Sequence, residues 1–130
     1  MKLNHLNLQV SNAPEMAAFF VEYFGFVVTL EKPDRSLIAL AADGFDLVLQ
    51  ESGDAKPSYP KGFHLGFILD DLEKVQTSYA RLKHAGADLS AEIVQSRRGA
   101  QFFLTTLDGI TVEIGCHYAT DGVVESQSRQ

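Results

Sequence analysis

The 130-residue sequence contains no tryptophan and a single cysteine, Cys116. One thiol excludes an internal disulfide, in keeping with a reducing compartment. Basic residues are also scarce, 11 Lys and Arg against 17 Asp and Glu, which leaves a net charge of −6. Nucleic acids are bound through clustered Lys and Arg, so that class of partner is not expected, and an anionic membrane surface is disfavoured for the same reason. The one basic doublet, Arg97-Arg98, is too small to act as a footprint. No apolar run approaches the ~18 residues needed to cross a bilayer. The opening MKLNHLNLQV lacks a signal peptide's apolar core and small-residue cleavage site. A cytoplasmic protein whose partner is a small molecule or another protein is therefore expected. With 45% hydrophobic and 22% charged residues, the composition suits one globular domain, or two small halves sharing a core.

What the sequence does contain is a repeat. His5 lies seven residues before Asn12, and His64 seven before Asp71. Each of these polar residues opens a helical pattern. Asn12 is a plausible N-cap with Glu15 three residues on, and Gly25 is the stop; Asp70 or Asp71 caps the second, with Glu73 in its first turn and Gly86 as the stop. Met16, Phe19, Phe20 and Tyr23 make one apolar stripe, and Leu72, Val75, Tyr79 and Leu82 the other. Three strand-like runs follow each helix: 26–32, 35–42 and 45–52, then 89–97, 100–106 and 110–116. Asp43-Gly44 and Asp108-Gly109 supply the turn before the last strand of each half. The chain thus reads as α+β, a tandem βαβββ arrangement with units over 1–52 and 62–117. A linker rich in Pro, Gly and Lys spans 53–61, and a polar C-terminal tail spans 118–130.

Alternation along the strands places the histidines. Leu6, Leu8 and Val10 share one face, leaving His5, Asn7 and Gln9 on the other; likewise Leu65, Phe67 and Leu69 oppose His64, Gly66 and Ile68. Aligning the two final strands on their Asp-Gly turns sets Glu113 opposite Val48, with Glu113 on the face of the histidines. His5, His64 and Glu113 therefore occupy three of four equivalent positions with side chains able to bind a divalent metal, and Val48 occupies the fourth. Two imidazoles and one carboxylate leave coordination positions open for water, oxygen or a bidentate substrate. Asp46 and Gln50 share the face of Val48, and Glu51 has the opposite parity.

Paired βαβββ units, a histidine on the first strand of each and a glutamate in a final DG-x-x-x-E-I strand resemble the vicinal oxygen chelate superfamily over residues 2 to 117. This superfamily includes glyoxalase I, extradiol dioxygenases, fosfomycin-modifying thiol transferases and bleomycin resistance proteins. The resemblance implies a curved, cup-shaped mixed sheet and a homodimer, with the metal site formed either within one chain or by His5 of one subunit with His64 and Glu113 of the other. It also implies an enzyme that binds two adjacent substrate oxygens on Fe(II), Mn(II), Ni(II) or Zn(II). Asn7, Gln9, Gln50, Gln101 and Phe103 would shape the pocket of a small-molecule ligand, with no separate general base identified. Glyoxalase I usually has a glutamate where Val48 stands, so the pattern is closer to the two-His, one-Glu set of the fosfomycin enzymes. The alternative is a metal-free protein of the bleomycin resistance type, which sequesters its ligand without turnover.

The remaining candidates have plainer readings. Phe19, Phe20, Tyr23, Phe24 and Phe26 are expected in the core and Cys116 as an inert buried thiol. His84 suits the C-terminal end of a helix dipole. Arg97-Arg98 reads as a solvated loop pair or, less simply, as a clamp for an anionic substrate. His117 has the parity of Glu113 and could reach the rim of the cavity.

Overall fold

The computed structural model describes residues 1–53, 55–89 and 92–119. Two four-stranded sheets and two helices form two compact units, each built from one βαβββ repeat. The first unit comprises Met1–Phe63 together with Thr106–Ile110, and the second comprises His64–Thr105 and the described residues from Thr111 on. The α+β class and tandem repeat expected from the sequence are both present.

In the first unit β1 (His5–Val10) leads into α1 (Ala13–Phe24), followed by β2 (Val27–Glu31), β3 (Leu37–Ala42) and β4 (Phe45–Glu51). Asn12 caps α1 by accepting the Glu15 N–H at 3.0 Å, and Gly25 ends it in the left-handed conformation. The sheet order is β1-β4-β3-β2, with β1 parallel to β4 and the other pairs antiparallel. Asp43 and Gly44 both have positive φ, the requirement of a two-residue hairpin turn between β3 and β4. One face of the sheet is covered. Leu8, Val10, Met16, Phe20, Ile38, Leu40, Leu47 and Leu49 are all buried. Of the five aromatics expected in the core, Phe20 and Phe26 are buried, whereas Phe19, Tyr23 and Phe24 are half-buried. Phe19 meets Phe20 and Tyr23 edge to face, each at 5.3 Å between ring centres. The linker packs here too, since the Tyr59 hydroxyl donates to the Gln9 carbonyl at 2.7 Å and its ring lies 4.7 Å from that of Phe63. Asp108 Oδ2 accepts the Ser11 N–H at 2.7 Å, so the turn before the last strand belongs to this unit.

The second unit repeats the plan with β5 (His64–Leu69), α2 (Leu72–His84), β6 (Val94–Gln95), β7 (Gly99–Thr105) and β8 (Thr111–His117). Its sheet order is β5-β8-β7-β6, with β5 parallel to β8. Asp71 is the N-cap of α2, accepting the Lys74 N–H at 2.9 Å. Val75 and Leu82 bury the helix against Phe102, Leu104, Val112 and Ile114, and Tyr79 meets the Phe102 ring at 5.1 Å. His84 is the last residue of α2, with Arg81 and Lys83 in the same turn, as a helix dipole favours. Cys116 is buried.

One strand is much shorter than expected. Among its described residues, the run 89–97 forms the two-residue β6 and an isolated bridge from Leu89 to Leu104. Residues 90 and 91 lie outside the described residues, as does the expected tail from residue 120 on. Among the described residues no helix is long and apolar enough to cross a membrane.

Candidate functional site: a histidine and a carboxylate in each unit

The uncovered face of each sheet carries the polar residues that alternation assigns to it. On β1, His5, Asn7 and Gln9 are exposed while Leu8 and Val10 are buried. Because β1 runs parallel to β4 with His5 level with Asp46, the His5 Nδ1 meets Asp46 Oδ2 at 2.6 Å. Asn7 is level with Val48 and turns instead to Gln50, donating from Nδ2 to Oε1 at 3.1 Å; Gln9 in turn donates to the Asn7 oxygen at 2.9 Å. Three residues expected to contact substrate are thus joined in one hydrogen-bonded chain. Glu51, of the other parity, accepts the Ala13 N–H at 2.9 Å and serves the start of α1.

The second unit carries the corresponding pair one step further along its strand. Gly66 is level with Glu113 in the parallel β5–β8 ladder, and Phe103 is level with Glu113 from β7. His64 Nε2 approaches Glu113 Oε1 to 3.0 Å, and the Phe103 ring stands at 90° to the imidazole at 5.8 Å. Gly66 matters to this geometry, because a Cβ there would lie 2.8 Å from the Glu113 carbonyl oxygen. Beside the pair is a cavity of about 460 Å³ lined by His64, Gln101, Phe103, Glu113, Arg98 and His117, among others. That volume falls in the range of small-molecule sites. Gln101 and Phe103, both expected as pocket residues, line it.

A histidine–carboxylate pair therefore stands in each unit, His5 with Asp46 and His64 with Glu113. Among the described residues, no three His, Cys, Asp or Glu side chains are gathered into one group that could hold a metal. The donor chemistry of both pairs nonetheless suits a divalent ion. Two features were not reached from sequence. Asp46 stands on the face that alternation predicts, but its pairing with His5 depends on the parallel register of β1 and β4. His117 pairs with Arg98, whose Nε donates to His117 Nε2 at 3.3 Å, through the level match of Gly99 and His117.

Residues 2–114 match the family model of the Glyoxalase/Bleomycin resistance protein/Dioxygenase superfamily. The chain belongs to that superfamily. Among solved structures, that of a possible glyoxalase from Bacillus cereus is 27% identical with a TM-score of 0.74, the match covering 89% of this chain and 99% of that one. A glyoxalase/bleomycin resistance protein/dioxygenase from Nocardioides is 14% identical with a TM-score of 0.76, covering 99% of this chain and 90% of that one. Lactoylglutathione lyase from Agrobacterium tumefaciens is 16% identical with a TM-score of 0.73, covering 88% and 92%. These last two likenesses are of fold. No curated protein matches the chain. Superfamily membership accounts for the tandem βαβββ plan and leaves the reaction to be argued from the residues.

Proposed function

We propose that the chain is a metal-dependent enzyme acting on a small oxygenated organic molecule, in the manner of glyoxalases and related oxygen-chelating enzymes. The observation that carries the reading is the 3.0 Å approach of His64 Nε2 to Glu113 Oε1 at the wall of a cavity. Two ligands in adjacent positions of an octahedral ion, each ~2.1 Å from it, stand about 3 Å apart. The pair therefore needs little movement to hold Fe(II), Mn(II), Ni(II) or Zn(II). His5 is the third ligand in this reading, contributed by a second copy of the chain in a homodimer. Its Nδ1 is engaged by Asp46 at 2.6 Å, the arrangement by which a carboxylate fixes the orientation of a ligating imidazole and leaves Nε2 for the metal.

When bound, the ion supplies Lewis acidity to two adjacent substrate oxygens. The protein's own residues do the rest. Phe103 walls the His64 side of the cavity and excludes water, and Gln101 offers an amide to orient the substrate. Asn7, Gln9 and Gln50 present linked amide groups for further polar contacts.

The test is calorimetric titration of metal-stripped protein with each of the four ions, for the wild type, His64→Ala and Glu113→Gln. One ion per site is expected, with affinity in either variant lower by at least about a hundredfold, since even residues behind the ligands cost 10–100-fold. Unchanged affinity in Glu113→Gln would remove Glu113 from the site. If the wild type bound none of the ions, the reading would give way to a metal-free pocket that sequesters a small molecule.

A further inference from the structure

The cavity of the second unit has a second polar end that the metal reading does not use. Glu113 and His117 of β8 line it, and β7 adds Gln101 and Phe103. Glu113 and His117 are four residues apart, about 13 Å of strand. Between them on the same face stands Gly115, which is buried and carries no side chain. A Cβ at Gly115 would lie 2.8 Å from the Ala100 carbonyl oxygen and 3.4 Å from Glu113 Oε2, so the close approach of the strands admits none. The cavity thus has a histidine–carboxylate pair at one end and Arg98 with His117 at the other.

The Arg98 end is held ready. Its backbone N–H donates to Ser96 Oγ at 3.2 Å, its carbonyl accepts the Tyr118 N–H at 2.8 Å, and its Nε donates to His117 Nε2 at 3.3 Å. The side chain is anchored through Nε, and among the described residues its terminal N–H groups have no carboxylate partner. A guanidinium that lines a cavity, with no carboxylate partner among the described residues, is suited to a planar anion, which it can grip with two parallel hydrogen bonds.

We infer that Arg98 is the anion-recognising residue of this cavity, and that the substrate is a small molecule with a carboxylate at the end remote from its metal-chelating oxygens. The inference rests on the proposed metal site for the placement of the chelating end, but not for the recognition of the carboxylate. Arg98 grips the carboxylate, His117 holds the guanidinium through Nε, and Gln101 and Phe103 line the cavity between the two ends.

The experiment compares two probes of equal chain length, 2-oxoglutarate and 2-oxopentanoate, which differ in the distal carboxylate. Binding is measured by calorimetry with and without Mn(II), for the wild type, Arg98→Ala and Arg98→Lys, with folding checked by circular dichroism. Charge-assisted hydrogen bonds imply a wild-type preference of at least about tenfold for 2-oxoglutarate. The preference is expected to vanish in Arg98→Ala and to survive in part in Arg98→Lys, while Mn(II) affinity stays unchanged. An equal preference in wild type and Arg98→Ala would overturn the inference, as would wild-type protein that favours neither probe or binds neither. Failure of Mn(II) to bind would count against the metal site alone, since an Arg98-dependent preference without metal still upholds the anion site.

Discussion

Gly66→Ala offers a stringent test of the geometry around Glu113. A Cβ at position 66 would lie 2.8 Å from the Glu113 carbonyl oxygen and 3.1 Å from its Cβ, where ordinary contact begins at 3.4 Å. The missing space, about 0.6 Å at the nearer atom, is backbone against backbone, so no side-chain rotation relieves it. β8 must move away from β5. Overpacking of this kind costs about 1–3 kcal/mol, and alanine's smaller entropy loss in a strand returns about 0.5–1 kcal/mol. The net is a loss of about 1–2 kcal/mol, or roughly 4–8 °C in Tm for a chain of this size. Since the displaced strand carries Glu113, the His64–Glu113 approach should open and Mn(II) affinity fall by about 10–100-fold, as when support behind a ligand is lost. Gly44→Ala is the control. Nothing lies within 4 Å of a Cβ there, and only its φ of +80° is unfavourable, so it should cost about 1 kcal/mol through backbone strain and leave metal affinity alone. Differential scanning calorimetry with a metal titration reads both quantities. A Gly66→Ala protein as stable as the wild type, with unaltered metal affinity, would refute the close approach of β5 to β8.

Asp46→Ala should weaken Mn(II) binding about 10–100-fold by freeing the His5 imidazole, and no change in the metal titration would separate His5 from the site. Asn12→Ala removes the acceptor for the Glu15 N–H and should cost about 1 kcal/mol in urea denaturation. Phe102→Ala, at a fully buried position against α2, should cost about 3–5 kcal/mol in the same assay. Tyr59 should titrate above the usual 10.0, chiefly because burial opposes its phenolate and also because Asp108 lies near. A folded-state pKa raised in this way means stability present below the ordinary tyrosine pKa and lost as pH rises through the folded one. Ultraviolet difference titration of wild type against Tyr59→Phe checks it, and a Tyr59 signal at or below the ordinary value would contradict the burial.

Much of this architecture is legible in the residues because local chemistry dictates it. Asn12 and Gly25 bracket α1, Asp71 opens α2, and period-two alternation assigns His5, Asn7 and Gln9 to one face and Leu8 and Val10 to the other. The run 89–97 is shorter as a strand than expected because β-like composition does not reveal where a strand finds a pairing partner; among its described residues Val94 and Gln95 form the ladder with β7, and Leu89 adds a single bridge. The pairings His5–Asp46 and Arg98–His117 were out of reach for a related reason. Alternation fixes the face of a side chain, but its neighbour on that face depends on the register between strands distant in sequence. Cross-strand partners are a property of the sheet.

The two histidine–carboxylate pairs also bear on how the repeat diverged. In the first unit the acid is Asp46, directly level with His5; in the second it is Glu113, level with Gly66 and so two residues past His64. The counterpart of Glu113 is Val48, and the counterpart of Asp46 is Thr111. A strand tolerates such exchanges in steps of two, since each keeps the side chain on the same face while moving it one rung along. After a duplication, a carboxylate can therefore migrate along a strand by ordinary point substitutions with the backbone unchanged. On this view Val48→Glu and Thr111→Asp are the two exchanges that would give each half the acid of the other, and the scaffold stands one substitution away from either arrangement.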